Sequence, residues 1–238
     1  MEVRKMKRMM LLLFICALVG MTQAAITITN GNFETDAPTD NNTYDVVGWF
    51  DKSTEGAQTE NYWWESTWYG PIVSPTGSSA MGLSYMGGSN TSWAYQGIGV
   101  NDEGLTQLTI GFTCGSFTDA GADRNIGITL SIYQSDGTFV GADNSEIDGA
   151  AGVTLIDSVD LTTGLLAKGE TTWLVGTLSL AAANDTGELF LRIGNYAPVE
   201  GEPDATGPWG AVDDVQIVPE PVTLALLSLG GLLIRRKR

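Results

Sequence analysis

The chain has 238 residues, with 12 Lys and Arg against 28 Asp and Glu and no His. Eight of the cations stand at the two ends, and between residues 25 and 218 only Lys52, Arg124, Lys168 and Arg192 face 26 acids, a net charge of −22. Four scattered cations cannot displace the counterions of a phosphate backbone, so a nucleic-acid binder is excluded, and without His neither Ser-His-Asp nor Cys-His catalysis nor a His-ligated zinc or iron site can be built.

Residues 1–24 read as an export signal. A basic start, Arg4-Lys5-Met6-Lys7-Arg8, leads into an apolar run over 9–19, and small residues at Thr22 and Ala24 precede a cut ahead of Ala25. The run is shorter than the ~20 residues a membrane span needs, which favours signal peptidase as the partner over a permanent anchor. Cys16 leaves with this segment. The exported chain then keeps Cys114 alone, so no internal disulfide forms, and between Phe112 and Phe117 it reads as a small buried hydrophobe.

From residue 25 onward no amphipathic helix of three turns is apparent. Short apolar or alternating runs recur between Gly, Asn, Asp, Ser and Thr clusters, which predicts strands at 26–29, 45–50, 62–69, 79–86, 92–100, 105–117, 125–133, 153–160, 171–181, 187–194 and 211–218. Eleven strands in one unit of about 190 residues imply an all-β fold of two packed sheets, a single β-sandwich over 25–218. Within 105–117, Leu108, Ile110 and Phe112 share one face while Thr109, Gly111 and Thr113 share the other, the pattern of a half-buried strand. Asp136-Gly137 predicts a tight hairpin between the 132–133 and 139–140 runs, and Asn184-Asp185-Thr186-Gly187 predicts a second. Residues 141–152, rich in Asp, Asn, Ala and Gly, read as a surface loop.

The aromatic residues admit two readings. Tyr62 to Tyr69 packs five aromatics into eight residues, and Trp93 and Tyr95 share a strand face. An exposed ring offers an apolar surface to sugar C–H groups, which makes Trp63, Trp64, Trp68, Tyr69, Trp93 and Tyr95 candidates for glycan stacking. In the other reading Trp49, Trp93, Trp173 and one of Trp63 or Trp64 fill the core, while Trp68 and Tyr69 close a loop; Trp63 and Trp64, as neighbours, point to opposite sides of any strand they share.

Catalytic motifs are missing. The segment from Asp119 to Asn125 alternates oxygens, but Arg124 stands where a calcium-binding loop of the EF-hand type needs Gly and Leu130 where it needs Glu. Gly97-Ile98-Gly99 has no third Gly and no following helix. With 26 acids, a carboxylate pair suited to glycoside hydrolysis arises by chance in almost any fold. The expectation is a protein without catalytic residues.

Asn30-Gly31-Asn32-Phe33-Glu34, Gly48-Trp49, Trp93-Ala94-Tyr95-Gln96 and Ala211-Val212-Asp213-Asp214-Val215-Gln216-Ile217 together resemble the galactose-binding-like jelly rolls, among them carbohydrate-binding modules of exported bacterial glycosidases. That resemblance implies a jelly-roll sandwich in which the first and last strands are neighbours. It also implies a structural Ca²⁺ held by the Asn32 carbonyl, Glu34, Asp213 and Asp214; the alternative is that Glu34 caps a turn and the two aspartates end an exposed strand.

At the C-terminus, Pro219-Glu220-Pro221, an apolar run over 222–234 containing Leu229-Gly230-Gly231-Leu232, and Arg235-Arg236-Lys237-Arg238 resemble the PEP-CTERM sorting signal of Gram-negative bacteria. A helix of thirteen residues is roughly 20 Å long, short of the ~30 Å hydrocarbon core, which suits transient anchoring. The resemblance implies processing by an exosortase after export across the inner membrane and delivery to the cell surface or extracellular matrix. The expected protein is therefore signal peptide 1–24, sandwich 25–218 and sorting signal 219–238, exported, with extracellular polysaccharide as its ligand and the membrane touched only by its ends. A matrix protein with no ligand site and a polysaccharide-degrading enzyme are the alternatives.

Overall fold

The computed structural model describes residues 26–35, 47–51, 62–65, 79–83, 93–116, 124–143, 145–167, 169–196 and 210–218, with backbone alone at several strand ends and throughout 62–65. Ten strands follow in chain order: β1 (Phe50–Asp51), β2 (Tyr62–Glu65), β3 (Ser79–Leu83), β4 (Trp93–Val100), β5 (Gln107–Ser116), β6 (Arg124–Ser135), β7 (Val153–Leu166), β8 (Thr171–Ser179), β9 (Glu188–Tyr196) and β10 (Gly210–Ile217). They form two antiparallel five-stranded sheets, a front sheet ordered β1-β4-β9-β6-β7 and a back sheet ordered β2-β3-β10-β5-β8. The fold is an all-β sandwich, as the alternation of residue types predicts. Among the described residues no helix is long and apolar enough to cross a membrane.

The period of two builds the core. Ala94 and Ile98 on β4, Ile126, Ile128, Leu130 and Ile132 on β6, and Leu189, Leu191 and Ile193 on β9 face Leu108, Ile110, Phe112, Leu178 and Val212 of the back sheet. Cys114 lies in the same core at 0% exposure, and burial pushes its thiol up to about 12. It is the inert hydrophobe its flanking phenylalanines suggest.

The segment 26–29 is not a strand of either sheet. Its Thr27 N–H donates to the Ile98 carbonyl (2.8 Å), and Thr29 is held by the buried amide of Gln96, whose oxygen accepts from the Thr29 N–H (2.8 Å) and whose nitrogen donates to the Thr29 carbonyl (3.2 Å). A side chain here performs the pairing a strand would have performed. Both predicted hairpins are also overturned. Asp136-Gly137 does turn, with Gly137 at φ 92° and Asp136 Oδ1 accepting from the Thr138 N–H (2.9 Å). The returning strand, however, begins only at Val153, which pairs with Ser135. Asn184 likewise organises its turn by accepting from the N–H groups of Thr186 and Gly187, but β8 and β9 belong to different sheets.

Candidate functional site: the outer faces of the two sheets

The opening motif and the last strand meet as expected. Val215 N–H donates to the Gly31 carbonyl (2.7 Å), and a Cβ on Gly31 would collide with the Val215 carbonyl oxygen, so the approach requires glycine. Asn30, in the left-handed region at φ 49°, donates to the Val47 carbonyl (2.7 Å) and accepts from the Thr35 N–H (2.9 Å). Phe33 is fully buried against Trp49, with ring centroids 5.8 Å apart. Asn30, Gly31, Phe33 and Trp49 therefore form a packed knot that ties the start of the domain to β10.

Of the four residues expected at a calcium ion, Asp213 is buried at 1% exposure and its Oδ1 accepts from the Asp214 N–H (2.6 Å). Asp214 has φ 54° and accepts from the Gln216 amide (3.2 Å), while Glu34 is half-buried and Asn32 exposed. The structure brings their two segments side by side, yet among the described residues no group of three or more His, Cys, Asp and Glu could hold a metal ion.

Two of the aromatic candidates are core. Trp93 and Tyr95 are 4% and 0% exposed and stack at 5.6 Å, so neither can offer a face to a sugar. They project from the outer side of the front sheet, where with Tyr133, Phe190 and Ile147 they make a second apolar cluster. The segment 136–152 closes over it: Ile147 is fully buried, and the Tyr95 hydroxyl donates to the Ser145 carbonyl (2.9 Å). Arg192 clamps the same segment by donating through Nε and Nη2 to both carboxylate oxygens of Glu146, each at 2.9 Å. Burial works against the Arg192 charge, but the bonds and charge of Glu146 outweigh it and raise its pKa. The predicted surface loop is thus the lid of a mini-core.

In β2, Trp63 pairs in register with Met81 and Trp64 with Ala80. Their side chains, together with Trp68, Tyr69, Pro219, Glu220, Pro221, Arg235, Arg236, Lys237 and Arg238, lie outside the described residues, as do the export signal and the apolar tail.

Trp173, expected in the core, is instead 44% exposed on the outer side of the back sheet. It pairs in register with Thr113 on β5, and its ring lies across Gly111, where any Cβ would meet the indole. On the same face stand Val175, also half-exposed, the Thr109–Thr177 hydroxyl pair (3.1 Å) and the exposed amide of Gln216, which pairs with Gly111. An indole held on a glycine and flanked by hydroxyls and an amide offers an apolar face beside hydrogen-bonding groups. Its position was readable from β8: Leu174 and Leu178 alternate with Thr171, Trp173, Thr177 and Ser179, so the Trp shares the polar face.

No protein-family model matches the chain, and no curated protein matches it. Among solved structures it is similar to TmCBM61 in complex with beta-1,4-galactotriose, at 14% identity and a TM-score of 0.45, over 81% of this chain and 97% of that one. It is also similar to the CBM22-1-CBM22-2 tandem domain of Paenibacillus barcinonensis Xyn10C, at 15% identity and a TM-score of 0.44, over 84% of this chain and 50% of that one. The CBM22-1 xylan-binding domain of the same protein gives 12% identity and a TM-score of 0.43, over 82% and 96%. At such identities and TM-scores these likenesses carry no further argument, and those proteins' binding residues are not carried over.

Proposed function

We propose that the sandwich is a non-catalytic module that binds a neutral polysaccharide on the outer face of its back sheet, with Trp173 as the stacking platform. The observation that carries this reading is the half-exposed indole laid over Gly111 beside Thr109, Thr177 and Gln216. A pyranose presents C–H groups on its faces and hydroxyls at its edge, which matches an apolar ring with donors and acceptors around it. The charge of −22 over 25–218 disfavours anionic polymers. The terminal motifs extend the proposal to a protein exported through a cleaved signal peptide, sorted by an exosortase and delivered to the cell surface or matrix.

A glycan array tests the binding. The native protein should retain a neutral glycan, and Trp173→Ala should lose it by tenfold or more while keeping its circular dichroism spectrum. Gly111→Val, which forces the indole off the sheet, should do the same. A flat array for the folded protein overturns the reading in favour of a ligand-free matrix role, and release of reducing ends from a polysaccharide overturns it in favour of an enzyme. Structural calcium belongs to the proposal as well, on the buried Asp213 carboxylate beside the 31–34 segment. A thermal midpoint that EGTA leaves unchanged removes it.

A further inference from the structure

The geometry points to a second binding site, at the edge of the front sheet, for a primary ammonium group carried on a compact carbon frame. A groove of about 440 Å³ opens there between β1, β4, β9 and the segment 136–152, and Phe50, Phe139, Val140, Phe190 and Glu188 give it its chemistry. The phenylalanines are braced by ring contacts: Phe139 meets Phe190 edge-on at 5.3 Å, and Phe50 meets Tyr95 at 5.4 Å. Val140 stands on the rim at 82% exposure, the most exposed of the large apolar side chains described.

Glu188 supplies the specificity. Its carboxylate lies over Gly97, next to the Phe190 ring, and any Cβ at position 97 would displace it. Of the other carboxylates near this cluster, Glu146 is bound by Arg192 and Asp148 bonds the Tyr133 hydroxyl, while the charge of Asp143 acts on Tyr95. Among the described residues no side-chain hydrogen bond or cation is found at the Glu188 carboxylate. A carboxylate in a groove lined by the part-exposed rings of Phe50 and Phe139 attracts an ammonium group twice, through its charge and through the ring quadrupoles, and the acidic domain around it raises the local concentration of cations. Among the described lining residues a neutral sugar finds only one hydrogen-bonding side chain, and an anion is repelled. The chemistry therefore differs from that at Trp173, on the other sheet, and stands or falls independently of it.

Two sources carry such a group, a glucosamine unit of a de-N-acetylated polysaccharide and a lysine side chain, and three probes separate them. Calorimetric titrations of the full exported protein at low salt would use glucosamine tetramer, its fully N-acetylated counterpart and Nα-acetyl-lysine amide. The tetramer should bind and the acetylated form should not; binding of the lysine derivative alone assigns the site to peptide amines. Glu188→Gln should weaken the bound amine about fivefold or more, and 0.5 M NaCl should do likewise, while Glu170→Gln, which removes the same charge from the β7–β8 turn, should leave the affinity in place. Equal binding of amine and acetylated probes, binding indifferent to Glu188→Gln, or no amine binding by the folded protein overturns the inference. Loss of neutral-glycan binding in Trp173→Ala bears only on the other face.

Discussion

The outer face of the front sheet carries Trp93, Tyr95, Tyr133 and Phe190, and that of the back sheet carries Trp173 and Val175, yet the first group is buried and the second half-exposed. All six residues hold outward positions on strands, so strand periodicity cannot distinguish them. What differs is the segment 136–152, which folds across the front sheet, inserts Ile147 and is pinned by the Tyr95 hydroxyl and by Arg192. An aromatic residue on the outside of a sheet becomes core or platform according to whether a distant part of the chain closes over it.

The sharpest way to break this contrast is to remove the centre of the buried cluster. Tyr95 is fully enclosed and touches Phe50, Trp93, Phe139 and Phe190. Tyr95→Ala should cost about 3–5 kcal/mol in urea denaturation, whereas Trp173→Ala should cost under about 1 kcal/mol; similar losses would mean that the two faces are energetically alike. The clamp comes next. Glu146→Gln leaves the largely buried Arg192 without its counter-charge, and because Glu146 is itself about a third exposed the loss should be about 2 kcal/mol rather than the larger cost of a fully buried pair. Amide exchange should rise across 136–152 and not across β8. Uniform exchange would show that the lid is held by packing alone.

Period-two alternation made the sandwich legible: the run 105–117 became β5 over Gln107–Ser116, and nine other expected strands overlap observed ones. The knot of Asn30, Gly31, Phe33 and Trp49 against β10 was legible as a pairing of distant motifs. The lid was not, because a segment rich in Asp, Asn and Gly anchors itself through one apolar residue, Ile147, and through backbone carbonyls that carry no sequence signature. The Asp136-Gly137 turn misled for a related reason. Turn chemistry specifies a reversal, but not how many residues the chain spends before it rejoins the sheet. Trp173 was misassigned because a large aromatic was weighed by type, when its polar neighbours at 171 and 177 already placed it outside.

The alkaline limb of stability should also separate the faces. Burial first, then the charge and hydrogen bond of Asp148, push the Tyr133 hydroxyl up from 10.0 to about 12, against an opposing pull from Arg192. A neutral group whose folded pKa exceeds its unfolded one contributes fully below pH 10, and that contribution is lost as pH rises towards 12, because the unfolded chain releases its proton first. Cys114, raised from 9.0 to about 12, acts in the same direction from pH 9 upward. Tyr133→Phe should therefore flatten the decline between pH 10 and 12 by about 1–2 kcal/mol. An unaltered slope in denaturation midpoints would assign the limb to Cys114 and the remaining tyrosines.

The smallest effect is expected where the sheets end together. Among the described residues β7 is the last strand of the front sheet and β8 the last of the back one, and the edge of a sheet is a template for pairing with another chain. Asp157 on β7 reaches across to accept from the Ser179 N–H of β8 (2.6 Å) with one oxygen and from the Ser158 N–H (2.9 Å) with the other. The site is exposed, so water can replace the lost bonds, and Asp157→Ala should cost only about 0.5–1 kcal/mol. Its larger consequence is kinetic. With the edge uncapped a few residues from the open Trp173 face, light scattering at high protein concentration should grow faster than for the native protein, while Ser158→Ala, which keeps the Asp157–Ser179 bond, should not accelerate it. If both variants scatter alike, the carboxylate stabilises the edge without guarding it.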